Sequence, residues 1–203
     1  MIIPTPESSS ARRPSKRGRI TAPSYGGVRC EGPIRFRSAL ARDMGCLLDL
    51  DPDLRSWRCM PLTLSERSKE HVPDFAIDRG THHVLVDVVP RKGKKPPDWV
   101  EQAAEQQGYA YEAVPEEQIR SIRLENARDL LPYANARVTL GDRLRVLAAL
   151  DERGSMTIAE CMSAFREADP IGSLAALVLH RFVEFDLDET RIGPETQVRR
   201  RRD

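Results

Sequence analysis

The chain contains no C-x-x-C pair, no apolar run of membrane-spanning length and no hydrophobic core near its N-terminus. Its four cysteines (Cys30, Cys46, Cys59 and Cys161) are scattered. That spacing excludes a zinc-finger pattern and a disulfide framework, and it suits a reducing compartment. The opening M-I-I-P-T-P-E-S-S-S lacks the core of a secretion signal, so the expectation is a cytoplasmic protein with no membrane partner. Net charge is scarce too, at +1, yet it is unevenly spread. Arg12, Arg13, Lys16, Arg17 and Arg19 cluster with no acid among them, and the chain closes on Arg199, Arg200, Arg201 and Arg202. Such clusters attract a polyanion by counterion release, whatever its sequence. They equally suit solvated tails.

What the chain does have is enough length, 203 residues, to bury a core in one large or two small domains. Residues 1–33, rich in Pro, Ser, Gly and Arg, read as a disordered basic tail. Leu40, Met44, Leu47 and Leu48 recur at helical spacing, predicting a helix over 38–50 that D-P-D ends. Leu54 to Leu64 reads as extended, and Ser65 to Glu70 as a polar turn. H-V-P-D-F-A-I-D-R-G-T-H-H-V-L-V-D-V-V-P, from His71 to Pro90, reads as a β-hairpin about D-R-G. A basic loop follows (Arg91, Lys92, Lys94, Lys95). Next come a helix over 99–107, with Asp98 as N-cap and Gly108 as stop, a strand over 109–114 and a helix over 115–131.

The last third has another pattern. Leu144, Leu147 and Leu150 mark a helix closed by D-E-R-G. Thr157 and Glu160 form a capping box ahead of a second helix, and Pro170 opens a third. The stretches 182–187 and 192–198 make a hairpin. Three helices and a two-stranded wing predict a winged helix, with the boundary between Pro132 and Leu140. The third helix offers only Ser173, His180 and Arg181 to a DNA groove, a poor set of base readers. This unit therefore reads as a protein-docking module.

The chemistry concentrates in the hairpin. Asp74 follows Pro73, and Asp87 sits inside the second strand, where an unpaired carboxylate is costly. Two such residues on one hairpin point to a hard divalent cation. His71, His82 and His83 do not point to zinc, because adjacent strand histidines face opposite sides.

These residues resemble the TnsA-type endonuclease subunits of heteromeric transposons. The resemblance spans roughly residues 35–198. It rests on S-A-L-A-R-D-M-G-C-L-L-D-L-D-P-D-L, V-P-D-F, L-V-D-V-V-P, G-Y-A-Y-E-A-V-P-E-E-Q-I-R and L-E-N-A-R-D-L-L-P-Y, in that order. It implies an α/β fold, with a restriction-endonuclease-like mixed sheet flanked by helices over 34–136. A small winged-helix domain follows over 137–198, then a basic tail over 199–203. It implies Mg²⁺ as cofactor, with Asp74 and Asp87 as catalytic and metal-binding positions. The motif's lysine falls on Val89, its helix glutamate on Ala41 and the glutamine of its Q-P pair on Met60.

Strand alternation puts Val89 on the face of Asp87, where the ammonium belongs. Losing one such electrostatic element costs roughly 10²–10³ in rate in other enzymes. Lys92, Lys94 or Lys95 folding back from the loop would restore the cation. Asp43, Glu101 or Glu105 would have to supply the carboxylate, and Asp43 is turned ~200° around the helix from Ala41.

The expectation is a TnsA-like subunit with little catalysis, binding DNA, a transposase and an ATPase regulator. A homodimer is compatible with it. Its DNA contacts would come from Arg12, Arg13, Lys16, Arg17, Arg19, Arg91, Lys92, Lys94, Lys95 and the terminal arginines. The alternatives are an active Mg-dependent endonuclease with a migrated lysine, and a standalone DNA-binding regulator on the same scaffold.

Overall fold

The computed structural model describes residues 27–202. Arg12, Arg13, Lys16, Arg17 and Arg19 lie outside them. The first helix, α1 (Ala39–Leu50), is opened by Ser38, whose hydroxyl accepts from the Ala41 N–H at 3.0 Å. That satisfies one orphan amide of the first turn.

After β1 (Ser56–Cys59), the segment expected as a polar turn is a short antiparallel hairpin instead. Its strands are β2 (Leu64–Glu66) and β3 (Lys69–His71), with Leu64 opposite His71. Strands of three residues are too short to register as a periodicity. The extended stretch from Leu54 is also interrupted, at Met60, whose φ of 44° turns the chain between β1 and β2.

β4 (Phe75–Asp78) and β5 (His83–Val89) form the expected hairpin, with Phe75 opposite Val86. Gly80, at φ 80°, takes the left-handed turn position, and its N–H donates to Asp78 Oδ1 at 2.6 Å. α2 (Trp99–Gln106) carries the chain to β6 (Ala110–Pro115), which pairs parallel with β5. Asp98 does not cap α2. Its own backbone is helical and its side chain makes no capping bond, while the Val100 N–H donates to the Pro97 carbonyl.

The sheet order is β1-β4-β5-β6, antiparallel except for the last pair. α1 covers one face, packing Ala41 and Leu48 with Trp57, Phe75, Val84 and Val86. α2 covers the other, packing Val100, Ala103 and Ala104 with Leu64, Ala76 and Leu85. The period-2 alternation of V-L-V-D-V makes this division and sends Asp87 to the α2 face. The fold is mixed α/β, a four-stranded mixed sheet flanked by helices.

The single helix expected over 115–131 is two, α3 (Glu116–Ile119) and α4 (Ile122–Leu130), followed by a 3₁₀ turn (Leu131–Tyr133). Ser121, extended at φ −139°, breaks the run and caps α4 by accepting from the Leu124 N–H at 3.3 Å. The C-terminal third comprises α5 (Leu140–Arg153), β7 (Ser155–Thr157), α6 (Ile158–Met162), α7 (Pro170–Leu179), β8 (Val183–Phe185) and β9 (Gln197–Arg200). D-E-R is the last turn of α5, which ends at Gly154 with φ 79°. The capping box of Thr157 and Glu160 is formed.

β7, β9 and β8 make a three-stranded sheet in that order. Arg199 and Arg200 belong to β9 rather than to a tail, and Arg200 pairs with Asp151. One apolar cluster runs from Leu40 and Cys46 through Leu124 and Leu130 into Val146, Leu150, Leu177 and Val198. No helix among the described residues is long and apolar enough to cross a membrane.

Candidate functional site

The two hairpin aspartates meet on the α2 face of the sheet. Asp74 lies just before β4 and Asp87 lies within β5, and the Asp74 N–H donates to Asp87 Oδ1 at 3.2 Å. Both are buried, at 9% and 4% exposure. A cation does stand beside them, but it is an arginine. Arg37, two residues before α1, donates from Nε to Asp74 Oδ1 at 2.8 Å. Its Nη2 lies 2.8 Å from the same oxygen and 3.5 Å from Asp87 Oδ1.

The remaining carboxylate oxygens are also engaged. Asp74 Oδ2 accepts from the Val88 N–H at 3.0 Å. Asp87 Oδ2 accepts from the Tyr111 hydroxyl at 2.6 Å and lies 2.6 Å from His71 Nε2. Against a carboxylate acceptor, that ring nitrogen is the donor. Every oxygen of the pair therefore has a protein partner.

The electrostatics follow from this crowding. Burial pushes the Asp74 carboxyl above its usual range, and Asp87 adds to the push, while Arg37 and the Val88 N–H act against it. Burial also raises the Tyr111 phenol, and its bond to Asp87 raises it further, so it stays a donor at any physiological pH. Met60, where the family's glutamine falls, has the left-handed φ noted above, and its N–H donates to the Asp74 carbonyl at 2.9 Å. Left-handed backbone at a non-glycine residue is a strain that tends to gather at functional sites.

The other expected positions are accounted for. Val89 is buried at 9% exposure and Ala41 at 1%, the latter within the cluster of Phe36, Trp57 and Phe75. Lys92, Lys94 and Lys95 are exposed on the loop after β5, and none pairs with either aspartate. Arg91, on the same loop, leans on Glu117 at 3.7 Å. Asp43 is buried but held by Arg128 of α4 at 2.6 Å and by Arg120, at the end of α3, at 3.0 Å. Glu101 and Glu105 lie on the exposed side of α2. His82 and His83 sit at the hairpin turn, with His83 ~13 Å up the strand from Asp87. Ser173, Arg181 and the exposed His180 are each engaged with main chain, donating to the carbonyls of Arg137, Asp51 and Ala134 respectively.

In this arrangement the two carboxylates are held by protein donors rather than left open to a resident Mg²⁺. Among the described residues no group of three His, Cys, Asp or Glu side chains could hold a metal ion. Mg²⁺ demands an octahedron of oxygens and takes carboxylates with free lone pairs. Here a guanidinium already spans the two carboxylates. No protein-family model matches the sequence, and no curated protein matches it either.

Three members of this site are absent from the family motif. Tyr111 carries a readable signal, because alternation along β6 puts it on the face of Leu85, its parallel partner, and hence of Asp87. His71 stands three residues before Asp74, at the end of a strand too short to foresee. Arg37 carries no local signal at all.

Proposed function

We propose that the chain is a TnsA-like subunit of a heteromeric transposition complex whose nuclease scaffold binds DNA and no longer cleaves it. The observation that carries this reading is the Arg37 guanidinium bound across Asp74 and Asp87. Phosphodiester hydrolysis on this scaffold needs a metal to stabilise charge on the phosphate and to activate water. A guanidinium supplies the charge but has no coordination position at which to bind and activate a water. Val89 adds no cation and Ala41 no carboxylate.

Two arrangements support the scaffold assignment. A β-hairpin joined through a helix to a parallel strand, with helices on both faces, suits a restriction-endonuclease-like core. The order α5-β7-α6-α7-β8-β9, with β9 between β7 and β8, is compatible with a winged helix. Since α7 is buried from Gly172 to Leu179, that unit fits a transposase or ATPase regulator better than a DNA groove. Phosphate contact falls to the exposed loop of Arg91, Lys92, Lys94 and Lys95, which leaves β5 beside the aspartates.

The test pairs plasmid nicking in Mg²⁺ or Mn²⁺ with fluorescence anisotropy on duplex DNA over a salt series. Salt-sensitive binding without nicking is the expected result. Vigorous nicking that Asp74→Asn abolishes would overturn it in favour of an active endonuclease.

A further inference from the structure

Cys30 and Cys59 are distant in the chain and meet in the fold. The Trp57 N–H donates to the Arg29 carbonyl at 3.1 Å, and the Glu31 N–H to the Trp57 carbonyl at 2.8 Å. These two bonds set Cys30 beside Trp57 in a parallel bridge along β1, an end strand of the four-stranded sheet. Residues so paired share a face, and alternation along β1 puts Cys59 on it as well. Both cysteines pack against the cluster of Phe36, Trp57 and Phe75, on the side of the sheet away from the aspartates.

The two thiols are hydrogen-bonded to each other. Cys30 donates to the Cys59 sulfur, which also accepts from the Arg35 N–H. Cys30 Sγ lies in addition 4.0 Å from the Gly32 carbonyl. The bond between the sulfurs raises the Cys30 thiol and lowers that of Cys59, where burial acts in the opposite sense. Cys59 is thus the better thiolate and Cys30 holds the proton. Both are only half-buried, whereas Cys46 and Cys161 are buried. Burial holds the Cys161 thiol up at about 11. A low-lying, reachable thiol beside a second one is the arrangement of a redox-sensing cysteine and its resolving partner.

We propose that Cys30 and Cys59 form an oxidation site for peroxides, with Cys59 as the attacking sulfur and Cys30 as the resolving one. The Cys59 thiolate attacks one peroxide oxygen. The S–O bond forms as the O–O bond breaks, and the departing hydroxide takes a proton from solvent to become water. The Cys30 sulfur then attacks the sulfur of the Cys59 sulfenic acid. The S–S bond forms as the S–O bond breaks, and the second hydroxide leaves as water with the Cys30 proton. Two thiols lose two electrons in all, and one peroxide is reduced to two waters.

The disulfide closes a loop that contains Arg37 and α1, while Cys59 pairs with Phe75, next to Asp74. Oxidation therefore fastens the segment that carries Arg37 to the strand beside the aspartates. The thiol chemistry does not rest on the nuclease-scaffold reading and fails or succeeds separately from it.

The test treats the reduced full chain with a small molar excess of hydrogen peroxide, followed by alkylation in denaturant, intact mass and peptide mapping. Two of the four thiols should be lost to a bond between Cys30 and Cys59 and return with dithiothreitol. The oxidised monomer should melt higher by roughly 5 °C or more, because the closed loop restricts the unfolded chain. Cys30→Ser should stop at a sulfenic acid on Cys59 that dimedone traps. Cys59→Ser should slow the oxidation of Cys30 about tenfold or more. The parent alone decides the matter if either variant misfolds. Four alkylatable thiols after peroxide overturn the proposal, as does a bond that uses Cys46 or Cys161, or a sulfenic acid trapped on Cys30 instead of Cys59. An oxidised chain that melts no higher than the reduced one overturns the fastening.

Discussion

Arg37 and Asp74 form a two-nitrogen ion pair, with Nε and Nη2 each 2.8 Å from one carboxylate oxygen. The same guanidinium reaches Asp87 at 3.5 Å, so one side chain holds two buried acids together. Removing it leaves two adjacent carboxylates in a poorly solvated site.

Arg37→Met tests this directly. Breaking a buried pair costs roughly 3–5 kcal/mol, but the Arg37 side chain is 35% exposed, and solvent screening brings the expected loss down to about 1–2 kcal/mol. The variant should also recover stability when Mn²⁺ or Mg²⁺ is added. A ligand at a hundred times its dissociation constant contributes about 2.7 kcal/mol. The parent's melting temperature should ignore the same ions. Thermal melts of both proteins with and without metal decide the matter; a parent that responds as strongly as the variant contradicts the assigned role of Arg37.

Restoring the nuclease motif should fail unevenly. Val89 is buried but keeps 9% exposure, so a lysine there can extend its ammonium toward solvent. Ala41 is 1% exposed and packed with Phe36, Trp57 and Phe75, which offer a carboxylate no partner. Val89→Lys should therefore melt within about 1–2 kcal/mol of the parent. Ala41→Glu should lose several kcal/mol, roughly 3–5, as a buried unpaired charge. Neither variant should nick plasmid while Arg37 remains, and cleavage by Val89→Lys alone would show that the metal site is open.

The difference between what was legible and what was not lies in the range of the forces involved. Asp74 and Asp87 share a face because strand alternation and a tight D-R-G turn are local rules, readable over a few residues. The capping box of Thr157 and Glu160 at α6 is readable on the same local scale. Arg37 stands 37 residues from Asp74 in the chain, and only tertiary packing brings it there. Ser121 shows a third case. The stretch 115–131 reads as one helix, whereas the extended Ser121 divides it and caps α4.

Asp49 should give stability a pH slope of unusual sign. Its carboxyl is raised above the ordinary 3.8, with burial the largest cause, opposed by the Trp57 indole and the Arg29 N–H, which donate to Oδ1 at 2.8 and 2.9 Å. Between the ordinary and the raised value the native state holds a proton that the unfolded chain has released. Stability from this group therefore falls as pH rises through that window and is recovered on acidification toward 4. Asp49→Asn keeps the oxygen that accepts both bonds and cannot ionise. Its stability should be flatter than the parent's over that window, where Asp74 contributes in the same sense. Parallel curves from urea denaturation of the two proteins would show that Asp49 does not titrate.

Asn126 ties the C-terminal third to α4 from a fully buried position. Its Nδ2 donates to the carbonyls of Leu187 and Thr190 at 2.9 and 2.8 Å, and its Oδ1 accepts from the Ile192 N–H at 3.0 Å. Three main-chain groups of the connection between β8 and β9 thus depend on one amide. Asn126→Ala leaves them without that partner, at roughly 1–3 kcal/mol for each group that water cannot reach. The loop lies at the surface, so water should recover at least one, and a total loss of about 2–4 kcal/mol is expected. Asn126→Asp separates bonding from packing, since a carboxylate can accept from Ile192 but cannot donate to the two carbonyls. It should destabilise at neutral pH and partly recover when acid protonates it. Hydrogen exchange at the Ile192 amide reads both variants, and protection unchanged in Asn126→Ala would mean that the loop is held by other contacts.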